Sequence, residues 1–207
     1  MKVLLINGSP RENGCTRAAL SEAAGALESE GIVTELFHIG NGPIQGCADC
    51  RKCSGTGKCV FDNDIVGTAR EKAREADGYI FGSPVYFAGA AGHMTAFMNR
   101  LFFADNSVFF HKPGAAVVCC RRAGSTATLE QLNKYILISQ MLLVGSQYWP
   151  MVHGNDPGEA ARDLEGMQTM RVLGRNMAWI LKSIQAGREA GLGLPAREEK
   201  RLRTNFI

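Results

Sequence analysis

Short apolar runs alternate with amphipathic segments along the chain. The runs at 3–6, 78–81 and 115–120 are apolar throughout, apart from one glycine, which is typical of parallel strands buried on both faces. Segment 32–39 predicts a second strand by its alternation, and 142–148 predicts a fifth. The pattern therefore predicts five strands.

The segments between these strands have apolar residues at helical spacing. After the first strand, a helix carries Leu20, Ala23, Ala24 and Leu27 on one face and ends at Gly31. Further helices are predicted over about 64–76, from about 91, along the face of Leu129, Leu132 and Ile136, and over about 158–186. Strands alternating with helices predict an α/β fold in three layers, a parallel sheet with helices on both faces. We expect one domain over 1–190 and a C-terminal tail over 191–207.

Composition narrows the class of protein. The chain has 207 residues, 45% hydrophobic and 21% charged, as in ordinary globular proteins. The net charge of +3 is small and the basic residues are scattered, so neither a nucleic-acid nor a membrane partner is expected. The run at 3–6 is too short for a signal peptide, and glycines and a proline interrupt the apolar stretch at 79–97. We therefore expect a cytoplasmic location.

Segment 8–16 follows the first predicted strand and has the composition of an anion site. It offers Ser and Thr hydroxyls, glycines, an arginine and the start of a helix, where free amides and the helix dipole favour a phosphate. It lacks the spacings of the dinucleotide-binding and nucleoside-triphosphate loops. The alternative is an ordinary strand-to-helix turn with an N-cap.

Two more turns are expected at the same edge of the sheet. In segment 82–89 a proline fixes the turn, and Tyr86 and Phe87 can flank a flat ring; the alternative is core aromatics at the sheet rim. Segment 121–126 is cationic and contains glycine; the alternative is a solvated loop. Segment 148–154 follows the fifth strand there and is interpreted as a rim loop. Because ligands bind beyond the carboxyl ends of parallel strands, the three turns together predict one site.

Two motifs carry a family resemblance that covers essentially the whole chain. Gly8-Ser9-Pro10-Arg11-x2-Gly14-x-Thr16 and Gly82-Ser83-Pro84-Val85-Tyr86 resemble those of the NADPH-dependent FMN reductase and iron–sulfur flavoprotein branch of the flavodoxin-like superfamily. The resemblance implies a flavodoxin-like five-stranded sheet in the order 2-1-3-4-5, with FMN as cofactor and NAD(P)H as co-substrate. It implies a loop that holds the FMN phosphate, formed by Ser9, Arg11, Cys15 and Thr16. It implies a second loop along the isoalloxazine ring, formed by Ser83, Pro84, Val85, Tyr86 and Phe87. A third loop, which closes over the ring, is formed by Arg121, Arg122, Ala123, Gly124 and Ser125. Asn or Ser is frequent in the family where Cys15 stands, so we expect Cys15 to contribute its backbone amide.

Cys47, Cys50, Cys53 and Cys59 fall within thirteen positions. Their spacing resembles the compact cysteine motif of iron–sulfur flavoproteins, which implies a [4Fe-4S] cluster. Two alternatives stay open, a tetrahedral zinc and free thiols without metal, and free thiols are expected ahead of the cluster. Basic residues within the segment are expected to lower the pKa of these thiols.

The expected activity is an FMN-dependent NAD(P)H oxidoreductase. Hydride passes from NAD(P)H to the flavin, and electrons then pass to a quinone, flavin, nitro or azo compound or a metal ion. No catalytic side chain is expected, because the chemistry belongs to the flavin. The alternatives are an iron–sulfur flavoprotein, a flavodoxin-type carrier and a non-enzymatic regulator. The resemblance also implies a homodimer or homotetramer.

Overall fold

A computed structural model describes residues 1–61, 63–195, 202 and 204. Strands and helices alternate as predicted from the sequence. In chain order they are β1 Lys2–Asn7, α1 Cys15–Ser29, β2 Val33–His38, α2 Ile65–Glu75, β3 Gly78–Tyr86, β4 Gly89–Ala90, α3 Gly92–Ala104, a 3₁₀ turn Asn106–Phe109, β5 Pro113–Cys120, α4 Ser125–Ile138, β6 Leu142–Leu143, β7 Met151–His153, α5 Pro157–Arg162 and α6 Leu164–Glu189.

The sheet has the order β2-β1-β3-β5-β6, and these neighbours are parallel. β7 also pairs with β5 in parallel, further along the strand than β6. β4 is the short antiparallel partner of β3. In terms of the five predicted strands this is the order 2-1-3-4-5. β6 lies at the start of the predicted fifth strand, and β7 lies beyond its predicted end. The flavodoxin-like fold prediction is confirmed.

Alternate residues of each strand face opposite sides of the sheet. Leu4 and Ile6 of β1 pack with residues of α2, α3 and α4. Val3 and Leu5 pack with residues of α1, α5 and α6. The three layers thus leave the carboxyl ends of the strands as the exposed edge from which the connecting loops rise.

The turn predicted in segment 82–89 does not start at Gly82 or Pro84, because β3 continues to Tyr86. Gly82, Ser83 and Pro84 still pair with β5, whereas pairing with β1 stops at Gly82. At Ser83 and Pro84 the strand therefore pairs with β5 alone, and a proline without an N–H is tolerated at such a position. The turn itself is confined to Phe87 and Ala88, between β3 and β4.

Two other boundaries differ from the prediction. Only Leu142–Leu143 of the predicted strand 142–148 pairs with β5; the polar segment 145–147 then interrupts the apolar pattern, and Met151–His153 rejoins the sheet. The predicted helix over 158–186 is broken at Asp163, whose carboxylate accepts hydrogen bonds from the amides of Gly166 (2.9 Å) and His153 (2.7 Å). This residue therefore starts α6 as its N-cap.

The long helix α6 ends at Glu189, next to the predicted end of the domain at 190. Most of the predicted tail, namely 196–201, 203 and 205–207, lies outside the described residues. Within the part of the chain that is described, no helix has both the length and the apolar character needed to cross a membrane.

Candidate functional site at the carboxyl edge of the sheet

The first loop, after β1, is held in place by buried polar groups. Asn7 is fully buried; its side chain accepts from the Ser9 amide (3.1 Å) and donates to the Glu12 carbonyl (3.0 Å). The Ser9 hydroxyl accepts from the Arg11 amide (3.1 Å), and His38 Nε2 lies 2.8 Å from the Ser9 carbonyl oxygen. Asn7 and His38 are not among the site residues predicted from the sequence. The Asn-Gly pair that follows a strand is the signal for such a side-chain turn.

Helix α1 begins at this loop without a side-chain cap. The first helical bond is donated by Ala18 to Gly14, so the amides of residues 15–17 precede it and lack intrahelical partners. By contrast, α2, α5 and α6 are each capped by an aspartate: Asp64, Asp156 and Asp163.

The helices that follow the three predicted loops, α1, α3 and α4, all lack a side-chain cap in the described structure. Uncapped amides at a helix start are where an anion binds. The absence of a cap on α1 is therefore the feature that suits a phosphate.

The structure brings Ser9, Arg11, Cys15 and Thr16 together around the start of α1. Arg11 is exposed, but Ser9 and Thr16 are buried. A Cβ on Gly82 would lie 2.8 Å from the Thr16 methyl group, so glycine is required for α1 to approach β3 this closely. Their role in phosphate binding stays a prediction.

The Cys15 thiol points away from the helix axis and donates to the Gly154 carbonyl of the loop after β7 (3.5 Å). Burial raises the pKa of this thiol above its ordinary value, so the thiol stays protonated at neutral pH. The side chain is thus occupied in joining two loops, and the backbone amide is the group that Cys15 offers at the helix start.

The second loop is the hairpin between β3 and β4. Phe87 and Ala88 both have left-handed backbones, with φ of 50° and 59°, and they turn the chain back. Phe87 is fully exposed and Tyr86 half-exposed. The Ser83 hydroxyl instead is buried and closes the hairpin, accepting from the Ala91 amide (3.2 Å) and donating to the Pro84 carbonyl (2.9 Å).

The third loop, after β5, touches this hairpin. Gly124 is left-handed (φ 87°), and a Cβ there would lie 2.7 Å from Ala88 Cα and 3.0 Å from Val85 Cγ1. Ser125 is buried at the start of α4, while Arg121, Arg122 and Ala123 are exposed.

The first and second loops are joined as well, because the Gly8 amide donates to the Gly82 carbonyl (2.8 Å). The three predicted loops therefore form one continuous edge. It presents the uncapped start of α1 with the exposed Arg11, and exposed aromatic and arginine side chains at the hairpin and third loop.

The cysteine-rich loop follows β2. Cys47, Cys50, Cys53 and Cys59 line one pocket, together with Phe61 and the α3 residues Arg100, Phe103 and Ala104. All are free thiols. In the described residues, no three His, Cys, Asp or Glu side chains converge closely enough to hold a metal ion. The four thiols thus share a pocket, but they do not form a closed ligand set.

The expectation of lowered thiol pKa values is wrong for Cys53. Burial raises the pKa of this thiol, and the neighbouring sulfurs of Cys59, Cys47 and Cys50 raise it further. The basic side chains close in sequence do not compensate, since Arg51 and Lys52 are exposed to solvent.

The sheet order and the loops at its carboxyl edge define a flavodoxin-like flavoprotein. The family model described as NADPH-dependent FMN reductase matches residues 1–156, and the chain belongs to this family.

Named relatives agree with this assignment. The chain is 35% identical over 197 residues to an iron–sulfur flavoprotein of Methanocaldococcus jannaschii, a match that covers 89% of this chain and 100% of the relative. It is 29% identical over 143 residues to an FMN-dependent NADPH-azoreductase of Staphylococcus saprophyticus, covering 69% of this chain and 71% of that enzyme.

A solved structure shares the fold. It is RosB with a bound intermediate, 8-demethyl-8-formylriboflavin-5′-phosphate, at a TM-score of 0.70 and 17% identity, covering 100% of this chain and 92% of RosB. At this identity the likeness concerns the fold alone.

Proposed function

We propose that this chain is an FMN-dependent NAD(P)H oxidoreductase whose cofactor lies along the carboxyl edge of the sheet. The observation that carries the proposal is the uncapped start of α1, joined through Gly8 and Gly82 to an exposed aromatic hairpin. A phosphate at one end and a flat ring at the other are the two chemical parts of FMN. Membership of the FMN reductase family supports the same cofactor.

The residues present fit the phosphate. The amides of residues 15–17 point out of the helix start without intrahelical acceptors, and the α1 dipole adds partial positive charge at the same place. Arg11 is exposed beside these amides and supplies a full charge. No acidic side chain lies in the first turn of α1.

The hairpin and third loop fit the ring. Tyr86 and Phe87 offer aromatic faces, and Arg121 and Arg122 offer cationic side chains that can stack on a flat ring. The contact between Gly124 and Ala88 fixes the spacing of the two loops. Bound FMN would supply the chemistry, accepting hydride from NAD(P)H and releasing electrons to a second substrate. The protein would orient the ring between the hairpin and the third loop.

The second substrate is proposed to be a small acceptor, such as a quinone, a free flavin, a nitro or azo compound or a metal ion. Two features support a small molecule over a protein partner of flavodoxin type. The chain carries a net charge of +3 rather than a strongly acidic surface, and one relative is named as an NADPH-azoreductase.

Anaerobic addition of NADPH or NADH to the FMN-loaded protein tests this function. We expect the flavin absorbance to bleach at a rate that saturates with the nucleotide concentration, whereas free FMN at the same concentration reacts far more slowly. A protein that binds FMN but is not reduced directly by either nucleotide is an electron carrier, and the oxidoreductase proposal is then wrong.

A second candidate function, electron exchange through an iron–sulfur cluster, is favoured by two observations. The four cysteines of the motif line a single pocket, and the 35%-identical relative is named an iron–sulfur flavoprotein. Four thiols are the donor set of a [4Fe-4S] cluster. Because the thiols do not converge in the described structure, cluster binding requires the loop to close around it.

Anaerobic reconstitution with iron and sulfide tests the cluster. We expect about four irons and four sulfides per chain and a broad visible absorbance beyond that of the flavin. The variant C50S, which removes one exposed thiol, should lose the cluster but keep FMN. Binding of zinc alone would support the tetrahedral zinc site, and binding of no metal leaves the free-thiol interpretation.

We also propose a homodimer or homotetramer. Large apolar side chains are exposed at several places, including Trp149 after β6 and Trp179 on α6, and such surface is often covered by a second subunit. Light scattering on the purified protein measures the mass directly, and a 22.4 kDa species would contradict this.

A further inference from the structure

Arg100 is a fully buried arginine on α3, with 1% of its surface exposed. Buried arginines are rare unless paired. Its guanidinium is paired with the Asp64 carboxylate: Nη1 bonds to one oxygen, and Nη2 donates to the other at 3.1 Å. Asp64 is the last residue before α2 and accepts from the Val66 amide as its N-cap.

The same guanidinium holds both ends of the cysteine-rich loop. Nη1 donates to the Gln45 carbonyl (3.3 Å), just before the first motif cysteine. Nη2 donates to the Phe61 carbonyl (2.5 Å), just after the last one. Arg100 thus closes the loop at its base, and the four thiols lie between its two anchoring contacts.

One donor of Arg100 has no acceptor. Nε is buried and makes no hydrogen bond within the described residues, although a buried unpaired donor is costly. The side chain lines the pocket shared by the four thiols. An arginine side chain is not deprotonated in proteins, and the paired Asp64 carboxylate holds this one in place. A cation therefore lies beside the cysteine pocket.

We propose that Arg100 is the positioning residue and counter-charge of the cysteine site, with Nε donating a hydrogen bond to a sulfur of an iron–sulfur cluster held by Cys47, Cys50, Cys53 and Cys59. The inference rests on the second candidate function. A thiolate-ligated cluster is anionic, and each one-electron reduction adds one negative charge. A buried cation and N–H donor stabilises the reduced form more than the oxidised form, and thus raises the reduction potential.

The test compares three variants of the full chain after reconstitution, using iron content and a reductive titration followed by electron paramagnetic resonance. R100K keeps a positive charge but removes Nε and the planar fork. D64N removes the paired carboxylate while asparagine still caps α2. R171K alters an arginine of α6 that pairs with Glu22 and serves as the matched control.

R100K should lower the reduction equilibrium constant about tenfold, which is about 59 mV for a one-electron couple. D64N should shift the potential in the opposite direction, because a negative charge is lost, and R171K should leave it unchanged. The inference is wrong if R100K has the wild-type potential. It is also wrong if R100K and D64N both lower the potential, because that result indicates a general loosening of the loop.

A measurement on the wild-type chain does not depend on how the variants fold. With ¹⁵N-labelled arginine, the reduced cluster should show an electron–nuclear coupling to one arginine nitrogen, and the same coupling should remain in R51K, because Arg51 lines the same pocket. An iron-loaded protein without that coupling overturns the role of Arg100 alone. A wild-type chain that takes up no iron overturns both this inference and the second candidate function.

Discussion

Replacing Gly124 with alanine tests whether the third loop must touch the hairpin for flavin to bind. The left-handed backbone at Gly124 (φ 87°) costs an alanine about 1–2 kcal/mol. The new Cβ would also lie 2.7 Å from Ala88 Cα and 3.0 Å from Val85 Cγ1. Since carbon atoms pack at about 3.5–4.0 Å, the loop and hairpin must separate by roughly 1 Å.

The energetic cost can be divided into two parts. Overpacking of this kind costs about 1–3 kcal/mol, so G124A should lower the free energy of unfolding by about 2–5 kcal/mol when the backbone term is added. Displacement of one wall of the ring site should also weaken FMN binding by about tenfold or more, which corresponds to about 1.4 kcal/mol.

Gly31 provides the matched control. Its φ is 77°, and a Cβ there would meet nothing within 4 Å; it follows the end of α1, at the opposite edge of the sheet from the loops. G31A should therefore lose only the backbone term of about 1–2 kcal/mol and bind FMN normally. Urea unfolding and FMN titration by flavin fluorescence measure both quantities. The reasoning is refuted if G124A and G31A bind FMN equally well.

Three further predictions concern charge and backbone. R11M should weaken FMN binding about five- to tenfold through loss of a charge-assisted contact. Riboflavin, which has no phosphate, should bind R11M and the wild type with equal affinity. If both ligands lose the same affinity, Arg11 is not part of the phosphate site. Hydrogen bonds from Lys2 and then Lys72 lower the pKa of Glu35 below its ordinary 4.5. The contribution of Glu35 to folding stability is therefore present above pH 4.5 and is lost as pH falls through the lowered pKa. E35Q should therefore cost about 1 kcal/mol at pH 7 and nothing in strong acid, as measured by urea unfolding across pH; a cost that persists in acid contradicts this. G25A, at an open position of α1, should raise the unfolding free energy by about 0.5–1 kcal/mol, and a loss there would reveal an unseen contact.

Features encoded locally could be predicted from the sequence. The run at 3–6, the glycine-rich turn and the following helix pattern specify β1, the first loop and α1, because each depends on residues close in the chain. The same holds for the position of the three loops, since parallel strands place their carboxyl ends at one edge.

Features that depend on distant partners could not be predicted. β3 continues past Phe81 because β5 still pairs with it, which no local pattern around Pro84 indicates. In the sequence, Arg100 is recognisable only as a charged residue within an apolar helix. Its pairing could not be predicted, because its partner Asp64 lies 36 residues away. The break before α6 occurs because the carboxylate of Asp163 caps a helix start. It could not be predicted, because the apolar spacing continues through this stretch without interruption.

A crystal structure of the chain with FMN tests the central claim most directly. We predict that the phosphate accepts hydrogen bonds from the amides of residues 15–17 and contacts Arg11. We also predict that the ring lies between the hairpin at Phe87 and the loop before Ser125. A phosphate bound away from the start of α1, or a ring that touches neither loop, would contradict the account.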